Sequence, residues 1–306
     1  MAGVVLDGRR INAQIQQELR PRIEALRARH RAPALAVILV GNDPASQIYV
    51  RNKIKTCREL GVTSLDITPA ATIETNELLD IIRGLNADPT VDGILVQSPL
   101  PPQIDHQQIL TAIDPAKDSD GFHPFNVGSL VANRPAPRAC TPAGIMEMLR
   151  RYEIPIAGRH AVVVGRSDIV GKPMALLLLH ANATVTICHS RTRDLADECR
   201  RADILVAATG KAGLITAEHI KAGAVVIDVG MNRVTDQAMA NRLIGYDAER
   251  LRLFHKNGSV LVGDAEPRAM QEISFAYTPV SGGVGPLTIA MLMSNTVGLA
   301  EQHLLE

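Results

Sequence analysis

Tyr49 and Lys53 stand four positions apart in "GNDPASQIYVRNKIK" (41–55), so a helix over them sets phenol and ammonium on one face, one turn apart. A lysine held beside a tyrosine, a glutamine and an apolar wall can have its pKa lowered and exchange protons near neutrality. Gln97 ends the apolar run "DGILVQ", and "KDSDGFHP" sets Asp118 and Asp120 in a loop marked by glycine and proline. All three acceptors fall at strand carboxyl ends, where open α/β sheets hold ligands. A lysine facing water and a half-buried packing tyrosine are the plainer readings of the pair, and the company of Gln97 and Asp120 weighs against them.

A second constellation begins where the strand-like "HAVVVG" runs into "RSDIVGKPMALLLL". Gly165 at a strand end and Gly171 at a helix start are the parts of a dinucleotide-binding crossover, whose helix N-terminus presents free amides to a pyrophosphate. The spacing is G-x-S-x-x-x-G rather than G-x-G-x-x-G, so a plain strand-to-helix turn stays open. The next strand ends in "CHSRT", where an NAD site would carry an acid for the ribose 2'-hydroxyl. Ser190 and Arg191 there, with Arg166 after the first glycine, suit a 2'-phosphate instead, which favours NADP. "AATGKAG", containing Thr209 and Gly210, and "DVGMN" end the following two strands with residues small enough to leave room for a ribose and nicotinamide. Tyr-x-x-x-Lys also occurs in short-chain dehydrogenases, but there it follows the glycine turn. Here the order is reversed and the upstream serine is missing, so that reading is set aside.

The elements that must position these residues alternate along the chain. "INAQIQQELRPRIEALRARH" reads as a helix with Ile11, Ile15, Leu19, Ile23 and Leu26 on one stripe, which Pro21 should kink or split. "ALAVILV" reads as a buried strand, followed by a helix from about Gln47 to Leu60 capped by Ser46 and ended by Gly61. "TSLDITPA" and "DGILVQSPLP" give two more strands, with a helix opened by Thr75 between them and another near 105–113. After "CTPAG", where Pro142 suits a first helical turn, strands recur at 160–165, 183–190, 203–210 and 224–230. Aliphatic strands separated by helices imply parallel sheets covered on both faces, in two α/β domains with a break near residue 140.

Composition excludes several classes. The 32 basic and 32 acidic residues balance, so no global field attracts nucleic acid or an anionic membrane. The aspartate in "MAGVVLDGRR" interrupts what a signal peptide would need, and no apolar run approaches a membrane-spanning length. The four cysteines (Cys57, Cys140, Cys188, Cys199) lack metal-ligand spacing and read as free thiols of a reducing, cytoplasmic compartment; no metal site is expected.

The ordered set "GNDPASQIYVRNK", "VQSPLP", "PAKDSDGFHPFNVG", "CTPAGIMEML", "VVVGRSDIVGKP", "CHSRT", "IDVGMN" and "TPVSGGVGPLTIAML" resembles the bifunctional methylenetetrahydrofolate dehydrogenase/methenyltetrahydrofolate cyclohydrolase family, over about residues 4–299. The resemblance implies a folate-binding catalytic domain (1–140 plus a returning C-terminal helix, 286–306) and a Rossmann-type NADP-binding domain (141–285), facing each other across a cleft. It implies NADP-dependent oxidation of 5,10-methylenetetrahydrofolate, hydrolysis of the methenyl product to 10-formyltetrahydrofolate, and a homodimer. Lys53 would be the catalytic lysine, chiefly of the hydrolysis, tuned by Gln97; Tyr49 would stack on the folate and Asp120 would hydrogen-bond its pterin. Ser46 would belong to the same pocket, with Gly283, Gly285 and Pro286 flanking the folate. Arg166, Ser167 and Ser190 would hold the NADP phosphates, with Ile169 nearby.

The pattern is broken in places. Ser98, Ser119 and Ser281 stand where the family usually has leucine, valine and proline, and Ala265 replaces a valine. Three added hydroxyls near one pocket could retune folate contact or weaken the cyclohydrolase relative to the dehydrogenase; a non-catalytic binder is the remaining alternative. The segment 233–262 is longer than the family's usual connection and reads as an added helix or loop.

Overall fold

The computed structural model of the chain describes residues 3–305. A short strand, β1 (Val4–Val5), precedes α1 (Gly8–Ala28), whose expected stripe from Ile11 to Leu26 is buried. Pro21 lies inside α1 without splitting it. Proline removes one intrahelical hydrogen bond, but the apolar side chains buried before and after it hold the helix to the core. Next come β2 (Ala34–Ile38), buried throughout, and α2 (Pro44–Leu60). Ser46, expected as the cap of α2, lies within the helix instead. Asp43 is the cap and accepts from the Ser46 amide at 2.7 Å, while Pro44 occupies the first turn, where its missing N–H costs nothing. Gly61, at a φ of 81°, closes α2 as expected.

The chain continues through β3 (Thr63–Ile67), α3 (Thr75–Ala87), β4 (Gly93–Val96), α4 (His106–Ala112) and α5 (Pro124–Val131). β2 is the centre of a parallel three-stranded sheet in the order β3-β2-β4. Ile38, Ile94, Leu78, Ile82 and Ile109 form one buried cluster between this sheet and helices α3 and α4.

α6 (Cys140–Arg151) leads into β5 (His160–Val164), α7 (Gly171–His180), β6 (Thr184–Cys188), α8 (Leu195–Arg200), β7 (Ile204–Ala207) and β8 (Val225–Asp228). The segment expected as an added helix or loop is a β-hairpin, β9 (Asn232–Val234) and β10 (Val260–Val262). It carries two helices, α9 (Gln237–Ile244) and α10 (Ala248–Asn257). Leu243, Ile244, Phe254 and Val262 give it a small core of its own. α11 (Pro267–Ile273), β11 (Ala276–Tyr277) and α12 (Gly285–His303) complete the chain.

The larger sheet runs β1-β11-β8-β7-β5-β6, parallel at every pairing. By proximity the chain falls into two compact units: Asn12–Cys140 with Ile289 onward, and the stretch to Ile11 with Thr141–Thr288. The first residues thus sit with the larger sheet rather than with the residues that follow them. The Val4 and Leu6 amides donate to the carbonyls of Phe275 and Tyr277, each at 2.8 Å, and Leu6 is fully buried.

In the other unit α12 is fastened by polar contacts. Arg22 meets Glu301 through two hydrogen bonds, the shorter at 2.6 Å. Asp92, fully buried, accepts from Arg31, from the Ala34 amide at 2.9 Å and faces His303 Nδ1 at 3.0 Å. Asp92→Ala removes the acceptor that Arg31, the Ala34 amide and His303 share, so we expect it to lower unfolding free energy by about 2 kcal/mol in denaturant titration.

Candidate active site

In the unit built on the smaller sheet, α2 follows the central strand and presents Tyr49 and Lys53 one turn apart, as their spacing requires. Lys53 is only 9% exposed, and its Nζ donates to Gln97 Oε1 at 3.1 Å. Gln97 sits just past β4, and its Nε2 donates to the Ser98 carbonyl at 2.6 Å, which fixes the amide with its oxygen toward the lysine. Tyr49 is 42% exposed, and Ser46 is buried on the same helix.

Asp120 is brought to this group by the loop that follows α4. Lys117 Nζ donates to the carbonyls of Leu85, Asn86 and Asp88 at the end of α3. Asp118 pairs beside Ile94 and folds the loop by accepting from the Gly121 and His123 amides and Asn126 Nδ2. Asp118 is thus spent on the loop, whereas Asp120 interacts with Lys53 and Cys140. Desolvation lifts the Asp120 carboxyl to about 6, with Lys53 and a hydrogen bond from Cys140 pulling the other way and Asp118 adding to the rise.

Cys140 and Asn295 were not legible as site residues. The Cys140 thiol lies 3.9 Å from Asp120 Oδ1, and burial, then Asp120 itself, pushes its pKa well above the usual thiol value, so it stays a donor. Asn295 Nδ2 donates to the carbonyls of Ser119 and Arg138, both at 2.9 Å, and lies 3.6 Å from Cys140 Sγ. One amide on α12 therefore clamps both segments beside Asp120. No sequence signal marks it, since Asn295 is a lone polar residue in an apolar helix.

The three unusual serines have different local partners. Ser98 is exposed with its Oγ 3.2 Å from His106 Nε2. Ser119 is fully buried and its Oγ accepts from Thr296 Oγ1 at 3.3 Å. Ser281 belongs to the other unit, where its Oγ accepts from Arg9 at 3.4 Å. Gly283, Gly285 and Pro286 are in that unit too, in and just before the start of α12.

The second constellation sits on the larger sheet. β5 has β6 on one side and β7 on the other, so the order reverses there and the loops after these strands flank a crevice. Gly165, Arg166, Ser167 and Ile169 follow β5, Ser190 and Arg191 follow β6, and Thr209 and Gly210 follow β7. At Gly165, with a φ of 133°, a Cβ would stand 2.1 Å from the Ala208 carbonyl, so only glycine lets these two loops meet. The helix end is less open than expected: Ser167 Oγ accepts from the Val170 and Gly171 amides at 3.2 and 3.3 Å. Arg166, Ser190 and Arg191 are exposed, and no carboxylate follows β6 before Asp194. This donor set fits the 2'-phosphate of NADP and lacks the acid that would hold a free 2'-hydroxyl. Among the described residues, no group of three or more His, Cys, Asp and Glu side chains could hold a metal ion.

Comparison with known proteins agrees with both halves. Residues 6–120 match the family model for the tetrahydrofolate dehydrogenase/cyclohydrolase catalytic domain, and residues 139–304 match its NAD(P)-binding domain. The chain is 64% identical over 299 residues to the bifunctional protein FolD of Solibacter usitatus, covering 98% of each. A crystal structure of bifunctional FolD from Campylobacter jejuni superposes with a TM-score of 0.89 at 43% identity, covering 98% of this chain and 99% of that one. The FolD of Trypanosoma brucei, solved with NADP cofactor and inhibitor, gives 0.90 at 37% identity, covering the whole of both chains. Two matched domain models and near-complete coverage at such identity leave one conclusion: the chain belongs to the tetrahydrofolate dehydrogenase/cyclohydrolase family.

Proposed function

We propose that this enzyme oxidises 5,10-methylenetetrahydrofolate with NADP+ and hydrolyses the 5,10-methenyl product to 10-formyltetrahydrofolate. The observation that carries the reading is the buried Lys53 amine, hydrogen-bonded at 3.1 Å to an oriented Gln97 with Asp120 beside it. When bound, NADP+ supplies the hydride acceptor. Arg166, Ser167, Ser190 and Arg191 hold its phosphates, and Thr209 and Gly210 border its ribose and nicotinamide, with Ile169 against it. Tyr49 stacks on the folate, Ser46 and Gln97 line its pocket, and the Asp120 carboxylate accepts from the pterin N–H groups. Gly283, Gly285 and Pro286 flank the same ligand.

In the hydrolysis, water attacks the electrophilic methenyl carbon and forms a tetrahedral adduct. Lys53 takes a proton from the attacking water and returns one to the leaving nitrogen as the carbon–nitrogen bond breaks. Fixing the pterin through Asp120 holds the one-carbon bridge in place for both steps. The test is to follow NADPH and methenyltetrahydrofolate together after mixing methylenetetrahydrofolate with NADP+. The reading requires NADPH to form while methenyl absorbance rises only transiently. A methenyl signal that persists removes the cyclohydrolase, and the absence of NADPH removes both activities.

Asp120 sets a pH dependence. Its carboxyl is raised to about 6, so the accepting, ionised form is present above that value and is lost as pH falls through it. We expect kcat/KM for methylenetetrahydrofolate to decline on an acid limb near pH 6, absent from Asp120→Asn, as a pH–rate profile of both proteins would reveal.

A homodimer in the cytoplasm completes the proposal. The dimer rests on the family resemblance, and the compartment on four cysteines that are buried and unpaired. A sedimentation mass equal to one chain would remove the dimer. No helix among the described residues is long and apolar enough to cross a membrane.

A further inference from the structure

Two carboxylates, one ending a strand of the larger sheet and one following the β9–β10 hairpin, are buried and lie outside the residues assigned above. Asp228, the last residue of β8, accepts from the amides of Gly230, Asp264 and Ala265 at 2.9, 2.8 and 3.0 Å. Asp264, in the turn after β10, accepts on Oδ2 from the amides of Thr209 and, at 3.0 Å, Gly210. Its Oδ1 accepts from Asn232 Nδ2 at 2.9 Å. Both are essentially inaccessible to water, at 1% and 0% exposure. The approach is so close that a Cβ on Gly263 would lie 1.7 Å from Asp228 Oδ2.

Buried acceptors of this kind are costly unless their lone pairs have donors, and here the donors are backbone amides of three separate segments together with the Asn232 side chain. Asp228 fixes the backbone of the turn 263–265, and that turn aims the Asp264 side chain. Asp264 in turn fixes the amides of Thr209 and Gly210. These carboxylates do not reach toward solvent where a ligand would sit; they set the path of the loop after β7.

We propose that Asp264, itself held by Asp228, is a positioning residue that shapes the 208–210 loop for NADP. The inference rests on the assignment of Thr209 and Gly210 to the cofactor site. It also divides the two activities. Hydrolysis of added methenyltetrahydrofolate needs no NADP, so it reports the integrity of the fold while oxidation reports the loop.

The polarity of the contact supplies the experiment. In Asp264→Asn one amide oxygen remains and must leave either the loop amides or Asn232 facing an NH2 donor. In the double variant Asp264→Asn with Asn232→Asp, the new amide oxygen can serve the loop while its NH2 donates to the new carboxylate. Assays belong at pH 8, above the value of about 7 to which burial lifts the Asp228 carboxyl. We expect Asp264→Asn to raise the KM for NADP+ by about tenfold, with hydrolysis and the KM for the folate within about twofold of the parent. The double variant should return the KM for NADP+ to within about threefold. An unchanged KM for NADP+ in Asp264→Asn overturns the proposal, as does a parallel loss of both activities that the double variant fails to restore. Gly210→Asp, which adds a charge to the loop at a left-handed position (φ 66°) that aspartate also adopts and keeps the backbone amide that donates to Asp264, separates the two levels. If it raises the KM for NADP+ while Asp264→Asn does not, the positioning role alone falls; if neither variant moves it, the loop does not face the cofactor and both readings fall.

Discussion

Lys53→Met is expected to slow hydrolysis of added 5,10-methenyltetrahydrofolate by about a hundredfold or more. Methionine nearly matches the lysine stem in length and packs in the same buried position, so the change removes the amine with little loss of volume. Gln97 loses the donor at its Oε1 but keeps its own bond to the Ser98 carbonyl, so the pocket wall is retained. Oxidation of methylenetetrahydrofolate needs no proton at Lys53, and NADPH formation in the variant should persist while the methenyl product accumulates. Initial rates of methenyl absorbance loss, corrected for the uncatalysed reaction, decide the matter. A rate equal to the parent's would remove Lys53 from the mechanism.

Arg166→Ala is expected to raise the KM for NADP+ by about fiftyfold, the loss of one charge-assisted contact to phosphate. The KM for NAD+, which has no 2'-phosphate, should move by less than about threefold. Arg166 is exposed and follows Gly165 directly, so its replacement disturbs no core packing. Steady-state oxidation with each dinucleotide tests this. Equal changes in the two constants would show that Arg166 does not read the 2'-phosphate, and would move that role to Ser190 and Arg191.

Much of this arrangement was legible because it is written in short-range patterns. The Tyr49–Lys53 spacing needs only helical geometry, and the turn after β5 needs only a strand, two glycines and a helix. Family resemblance then gave roles to Gln97 and Asp120, which spacing alone could not. What escaped was set by contacts distant in sequence or by competition between neighbours. Asp43 displaced Ser46 as the cap of α2 because Pro44 suits the first helical position and fixes the boundary one turn earlier. Pro21 did not break α1 because burial on both sides outweighed one lost bond. The inward turn of Ser119 could not be read, since a loop has no periodicity to assign faces. The pairing of a two-residue strand at Val4 with Ala276 lies equally beyond any local pattern.

Segments far apart in sequence are joined in the finished structure, and this governs when those contacts form during synthesis. β1 finds its partner only once Ala276 and Tyr277 have been made, and Asn295 clamps the segments beside Asp120 only once most of α12 has left the ribosome. All of the proposed folate ligands on the smaller sheet are translated far earlier than the helix that secures them. A nascent chain therefore carries Lys53, Gln97 and Asp120 without the clamp until Asn295 has been made.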